Sequence, residues 1–427
     1  MTDIRRMTEA DLEPFLAIVN GAFPSFAART PEEREQTLER WRGELTEPDS
    51  ALYGAFREGT LVGGMRLFDF TMNVFGAQVL IGGVGRVAVD LFHKKEHVAK
   101  DLVTFFLEHY RQRGAPFAAL YPFRPDFYHQ MGFGYGTKAN EYRVRPADLP
   151  AGGDRSAVTP LAPDDAPALA ACYARIQQRT HGMIQRSERP FARNLANPAT
   201  HAAGYWQDGA LRGYLSFEFA SAGIPNNFTA NDLVVDELLY ETPEALGGLL
   251  AFLRGQADQV RHVVFRNQDP HFSDLFFDPR LAGTAEVVPY LVMAHMTNTQ
   301  GTGIMYRVLD TAAAFRTLAD RDFGGQTLRL RITVRDSFLT ANDGSVTIDF
   351  REGSAGIASE GDGSEADADA DAAIALDVAD FASLLLGVVP FESLYRHGLA
   401  TLSDPARLDA VTRLFLAATP PICLTGF

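Results

Sequence analysis

The chain has 427 residues, 54 acidic against 39 basic side chains and a formal charge of −15, which gives room for two to four domains. It disfavours a nucleic-acid or anionic-membrane partner and suits a cationic one such as an amine. Hydrophobic content of 46% supports packed cores, and no apolar run reaches the roughly 18 residues of a membrane span. The two cysteines, Cys172 and Cys423, give no disulfide framework, and the opening residues lack the apolar stretch of a secretory signal, so a reducing cytoplasm is the expected setting.

In chain order, Thr8 is placed to cap a helix that carries Leu12, Phe15, Leu16, Val19 and Phe23 on one face. Residues 31–45 read as a second, charged helix with Leu38 and Trp41 on one side. Residues 51–57 and 60–70 read as strands paired about Glu58-Gly59, and 79–89 as a buried strand. A helix is predicted over 94–112, with Gly114 as its stop. A strand follows at 116–121 and a long last strand at 133–144. The Pro- and Gly-rich stretch 146–154 is the first linker. Beyond it the pattern restarts, with helices over 164–179 and 244–260 and strands near 202–206, 213–219, 233–239 and 263–266. From about Gly303 a third pattern begins. It has a helix over 311–319, strands over 326–336 and 345–351 about Asn342-Asp343-Gly344, and helices over 380–387, 391–397 and 405–416. The acidic run 359–373 lacks the ligand order of a calcium loop and reads as a solvated loop. The fold class is α+β or α/β with mixed sheets, divided at 1–150, 151–298 and 299–427.

Two stretches carry chemistry. The first is Val87-Ala88-Val89 followed by a basic turn and helix, Lys94 to Lys100. A strand edge offers backbone groups to the amides of a pantetheine arm, and the next helix N-terminus offers free N–H groups and its dipole to a pyrophosphate. The same order also suits an ordinary amphipathic strand–helix unit. The second is Phe127-Tyr128-His129-Gln130-Met131-Gly132-Phe133, to be read with the ending Cys423-Leu424-Thr425-Gly426-Phe427. Taken alone, Tyr128 also suits a core aromatic and Phe427 a terminal residue that merely packs.

Together these stretches resemble the GNAT acetyltransferases, and the ending resembles their enhanced-intracellular-survival (Eis) branch. The resemblance implies tandem GNAT-like domains, the second degenerate and without cofactor, and a C-terminal sterol-carrier-protein-like domain. It implies an acetyl-CoA-dependent N-acetyltransferase acting on a primary amine by direct attack, with no metal, no nucleic acid and no membrane partner, assembled as a homohexamer. Tyr128 takes the place of the family's acid, and the Phe427 carboxylate that of its base. The acetyl-CoA positions carried over are Val87, Ala88, Val89, Lys95, Glu96, His97, Val98, Ala99, Lys100, Phe123 and Arg124. His97 stands where the family has glycine, and Glu96 adds a negative charge beside an anion. These departures leave open a second reading, a non-catalytic acyl-CoA or apolar-ligand binding protein with a degenerate phosphate cradle. Eis-type proteins that acetylate aminoglycosides carry acids after the first helix and before the terminal Phe. This chain has Phe23-Pro24-Ser25-Phe26 and Gly426 there, which points to a smaller or more apolar amine. Ser25, Phe26 and Trp41 are the candidate pocket residues.

Overall fold

The computed structural model describes residues 2–221, 223, 227, 230–282, 287–288, 292–361 and 369–427. They fall into two compact units. One comprises Met1–Gly136, Ile304–Pro421 and Thr425–Phe427; the other comprises Thr137–Gly303 and Ile422–Leu424.

The first unit opens with a mixed sheet of β1 (Asp3–Arg6), β2 (Ser50–Arg57), β3 (Thr60–Val74), β4 (Ala77–Val89), β5 (Phe117–Leu120) and β6 (Gly134–Tyr135). A seventh strand from far along the chain, Met305–Val308, is inserted between β5 and β6. Only β4 and β5 run parallel. Helices α1 (Glu9–Ala22) and α2 (Pro31–Glu44) begin at reciprocal threonine–acid caps. Thr8 and Asp11 form the first of these, and Thr30 and Glu33 the second, where Pro31 supplies a preset φ. Leu12, Phe15, Leu16 and Trp41 from these helices form one core with Leu52 and Ala88. Helix α3 (Val98–Gln112) buries Val98, Leu102, Val103, Phe106, Leu107 and Tyr110 in a second core that includes Val84 and Leu120. The predicted helix over 94–112 therefore starts four residues late. Lys95 and His97 both lie in the left-handed region, at φ 68° and 65°, which an α-helix cannot continue through.

The predicted long strand 133–144 is two strands in two sheets. Gly134 and Tyr135 pair with Met305–Val308, whereas β7 (Ala139–Val144) joins the sheet of the second unit. At the break, the Gly136 N–H donates to the Ile304 carbonyl at 2.9 Å, and a side chain at 136 would strike that oxygen.

The second unit repeats the scheme. Its sheet holds β8 (Val158–Pro160), β9 (His201–Gln207), β10 (Ala210–Ser221), β11 (Asn231–Tyr240) and β12 (Val260–Asn267), in the order Thr299–Gly301, β7, β12, β11, β10, β9, β8. The β11–β12 pair alone is parallel. Helices α5 (Ala166–Gln177), α6 (Glu188–Leu195) and α7 (Pro243–Arg254) pack its two cores.

The remainder of the first unit is a five-stranded sheet, in the order Ser354–Glu360, Gly344–Arg351, Leu328–Arg335, Ala372–Asp377, Ala400–Leu402. Five phenylalanines, Phe315, Phe323, Phe350, Phe381 and Phe415, contact one another in its core. The centre of the acidic run, 362–368, lies outside the described residues. A buried ion pair joins this part to the first sheet. The Arg307 guanidinium meets the Asp336 carboxylate at 2.7 and 3.0 Å with both side chains fully buried, and the Asn342 amide donates to the same carboxylate at 3.2 Å.

Candidate active site

The first sheet opens where β4 and β5 part. Parallel pairing runs from Ile81–Phe117 to Val84–Leu120, after which β5 ends and β4 continues to Val89 paired with β3. Within that extension the β3 register slips, with Gly64 facing Ala88 and Arg66 facing Gly85, so Met65 opposes both Arg86 and Val87. Arg86 takes up the extra residue at φ 53°. The bulge reverses the side-chain alternation. Val87 and Val89 pack on the α3 side, and Ala88 lies in the α1–α2 core. Backbone groups of residues 85–89 thus border a wedge without a β5 strand opposite, which suits hydrogen bonding to an extended amide chain and to an oxyanion near Val87.

The wedge leads to the turn before α3. Asp90 caps it by accepting from the Phe92 N–H at 2.7 Å. Lys94, Lys95, Glu96 and His97 are exposed, Val98 is buried in the α3 core, Ala99 is half-buried, and Lys100 is exposed with its ammonium 5.6 Å from the Phe338 ring centre. His97 is the N-cap of α3 and adopts the backbone conformation that favours glycine. The charge of Glu96 is met by Arg57. Its carboxylate lies 2.5 Å from one guanidinium nitrogen, and its carbonyl accepts from the other at 2.7 Å. Lys94 and Lys95 are thus exposed in the turn before the helix N-terminus and Lys100 in its first turn, with Glu96 paired to Arg57, a setting that fits a pyrophosphate.

At the exit of β5, Tyr121 and Phe123 sit between the two residues proposed for proton transfer. Tyr128 lies on α4 (Pro125–His129) and is 3% exposed, its ring in contact with Phe123, Phe127 and Phe133. Burial pushes its hydroxyl pKa well above the ordinary tyrosine value. Phe123 is 61% exposed, and Arg124 is held by Asp126 at 2.5 and 3.0 Å. The Phe427 ring packs on Phe70 at 4.8 Å, Tyr121 at 5.2 Å and Phe68 at 5.6 Å. Its carboxylate lies flat against Gly85, where a Cβ would be 3.0 Å from the carboxyl carbon and 3.3 Å from its oxygen. Gly83 leaves room in the same way for the Phe70 ring, 2.3 Å from where its Cβ would stand. Gly85 shares the α1–α2 side of β4 with Ala88, and Tyr128 belongs to the α3-side core. Carboxylate and phenol thus approach the opening from opposite faces of the sheet.

Ser25 and Phe26 occupy the exposed turn after α1, Phe26 being 89% exposed. Trp41 is 2% exposed and packs on Phe15, with the Arg86 guanidinium 4.5 Å above its ring. The structure does not bring Trp41 to the surface with Ser25 and Phe26; it underlies Arg86. Sequence reading missed the network beside it. Glu44 bridges Arg66 at 2.8 Å and Arg86 at 2.7 Å, and Arg66 also holds Glu47. The alternation Arg66, Phe68, Phe70 on β3 sets three side chains on one face, but nothing in it marks Glu44 or Arg86 as partners.

The second unit has its own parallel-strand opening. β11 and β12 pair as far as Val235–Phe265, and the slip at Ser216/Phe217 leaves Asp236 bulged. Here a cavity of about 260 Å³ is lined by Val235, Leu239, Phe265, Gln268 and by Ile422 and Leu424 of the chain's own tail. The tail backbone is held at each residue. Ile422 N–H donates to the His181 carbonyl at 2.8 Å, Cys423 N–H to the Gln268 side chain at 2.6 Å, and the Leu424 carbonyl accepts from Arg186. Among the described residues there is no cluster of three or more metal-ligating side chains, and no helix is long and apolar enough to cross a membrane.

Comparison with known proteins agrees with this architecture. GNAT acetyltransferase domain models match residues 3–136 and 182–308, and a sterol carrier protein domain model matches residues 315–424. The chain is similar to an uncharacterized N-acetyltransferase of Streptomyces coelicolor, 31% identical over 243 residues. That match covers 52% of this chain and 57% of the relative's length. A second uncharacterized N-acetyltransferase, from Streptomyces avermitilis, is 26% identical over the full length of both chains. In fold, the chain resembles Eis1 from Mycobacterium abscessus, with a TM-score of 0.74 at 22% identity over the whole of both chains.

Proposed function

We propose that this chain, with two GNAT acetyltransferase domains and a sterol carrier protein domain in an Eis-like fold, is an N-acetyltransferase that moves acetyl from acetyl-CoA to a primary amine by direct attack. GNAT acetyltransferases use acetyl-CoA. Here Val87 to Val89 would meet the pantetheine amides, and Lys95 to Lys100 the pyrophosphate, with Phe123 and Arg124 at the border. The amine nitrogen attacks the thioester carbonyl carbon, a C–N bond forms, the C–S bond breaks, and the departing sulfur takes a proton from Tyr128. The proton shed by the amine passes to the Phe427 carboxylate. Tyr128 keeps its proton throughout the neutral range because burial disfavours its anion. A terminal carboxylate has an ordinary pKa of about 3.5 and so stays ionised beside an ammonium.

The single observation that carries this reading is the Phe427 carboxylate seated on Gly85 at the edge of the β4–β5 opening. The pairing of Glu96 with Arg57 favours the catalytic reading over the binding-protein one, which keeps the side chain of His97 as its support. Ser25, Phe26 and Trp41 stay as proposed substrate-side residues, Trp41 acting from beneath Arg86. The division near residues 150 and 298 and the cytoplasmic setting, read from the sequence, and the homohexamer, from family resemblance, are likewise proposals; light scattering tests the assembly. The decisive experiment follows thiol release from acetyl-CoA with an amine panel, comparing the wild type with Tyr128→Phe and with a form bearing one glycine appended after Phe427. Both changes should depress kcat strongly while acetyl-CoA affinity, read by calorimetry, is kept. Unchanged turnover in the extended form would remove the terminus from the mechanism.

A further inference from the structure

In the second unit β11 runs on to Tyr240 after its pairing with β12 has ended at Val235–Phe265, as β4 outruns β5 in the first. Such an edge suits an extended amide chain, and a polypeptide is one. Residues 422–424 of the chain lie here. Ile422 and Leu424 line the cavity at the opening, and Cys423 between them is 4% exposed, the two-residue alternation of an extended segment. Three successive residues are held by their backbone groups, Ile422 at the His181 carbonyl, Cys423 at the Gln268 side chain and Leu424 at the Arg186 guanidinium. The two side chains in this set are each fixed by a partner other than the tail. The buried Gln268 amide donates to the Thr137 carbonyl at 3.3 Å, which turns its oxygen to the Cys423 N–H at 2.6 Å. Arg186 donates to Glu237 at 2.7 Å and stands 4.6 Å over the Tyr173 ring, and Glu237 also accepts from the Tyr214 hydroxyl at 2.8 Å. Groups set in advance hold a flexible segment at the least entropic cost. A chain end without such holds frays. From Leu424 to Phe427 the chain reaches at most about 10 Å, so fixing Leu424 confines the terminal carboxylate to that range.

We propose that the strand opening of the second unit is the seat of the chain's own terminus, and that Gln268 and Arg186 are positioning residues for the Phe427 carboxylate. The positioning role rests on the reading of that carboxylate as the base; the seat itself does not. Carboxypeptidase Y, applied to the full-length protein, measures the seat without turnover, because attack on a held end follows the population of its released form. Gln268→Met keeps the length of the side chain and loses the acceptor. It should release Phe427 about tenfold faster than the wild type, the scale of one buried N–H left without a partner. Gln268→Glu, which keeps an acceptor oxygen, should release it more slowly than Gln268→Met. Arg186→Lys keeps a cation beside Glu237 but cannot hold Glu237 and the Leu424 carbonyl together. The double variant, Gln268→Met with Arg186→Lys, should lower kcat in thiol release about tenfold with acetyl-CoA KM unchanged. Release of Phe427 at the wild-type rate from Gln268→Met and from the double variant would overturn the seat, whatever the effect on kcat. Faster release with kcat unaltered in the double variant would keep the seat and sink the base reading, and the positioning role with it. Should the double variant fail to fold, Gln268→Met decides the seat alone.

Discussion

Gly85→Ala is the sharpest perturbation of the terminal carboxylate, because it adds one methyl group and removes nothing. The added carbon would lie 3.0 Å from the carboxyl carbon of Phe427, 3.3 Å from its oxygen and 3.3 Å from the Phe68 ring edge. Ordinary carbon contacts begin at about 3.5 Å, so the carboxylate must retreat by a few tenths of an ångström. Gly85 is not in the left-handed region, so alanine brings no backbone strain there. Alanine in a strand gains about 0.5–1 kcal/mol over glycine, against about 1 kcal/mol or more for the crowding, and net stability should scarcely change. Rate is another matter. Misplacing a reacting group by 1 Å costs about a hundredfold, so a shift of a few tenths should lower kcat about 3- to 10-fold with acetyl-CoA KM little altered. Thiol release in steady state measures both, with a thermal melt run in parallel. A well-folded Gly85→Ala enzyme with kcat within twofold of the wild type would refute the claim that this carboxylate takes part.

The remaining expectations concern charge. Arg57→Ala should unmask Glu96 beside the phosphate-facing lysines and raise acetyl-CoA KM about threefold or more, most at low salt, with Glu96→Gln restoring it in the same background. Arg307→Met should strand the buried Asp336 carboxylate and cost about 3 kcal/mol or more in urea unfolding. His109 and His262 both have pKa values lowered mainly by burial. The unfolded chain therefore binds more protons just below its ordinary histidine pKa of about 6.5, and stability present above that pH is lost as pH falls through the lower folded values. Melting temperatures at pH 7.5 and 5 should show that loss, and His109→Gln should reduce it.

Periodicity made the local elements readable, because a buried face leaves its mark at every second or fourth residue. Leu102, Phe106 and Tyr110 on α3 and Val87 and Val89 on β4 are such marks, and each packs in the core on the α3 side. What periodicity cannot carry is the identity of the partner strand. The run 133–144 reads as one extended stretch, although its large apolar residues change from Phe133 and Tyr135 to Tyr142 and Val144, out of phase; Gly136 marks the point where the chain leaves one sheet for another, and Met305–Val308 fills the edge it vacates. No local pattern distinguishes a strand that stays from one that departs, since both bury one face. The candidate site rests on a different ground. Tyr128 and Phe427 are proposed from resemblance, and their placement near the β5 exit involves a bulge and two glycines that have meaning only once β3 and β4 are in register. The Glu44–Arg66–Arg86 network lay beyond reach of sequence, because it joins the end of a helix to two strands through residues that each read as ordinary surface charge. Burying Glu44 is tolerable only with two guanidiniums against it. Replacing Arg66, which contacts both acids, should therefore do more than weaken one salt bridge: it would take a guanidinium from Glu44 and Glu47 together and shift selectivity toward amines of higher charge. Arg66→Met, assayed with spermidine against 2-phenylethylamine, should raise the polyamine's relative kcat/KM. An unchanged ratio would show that this network sets structure alone.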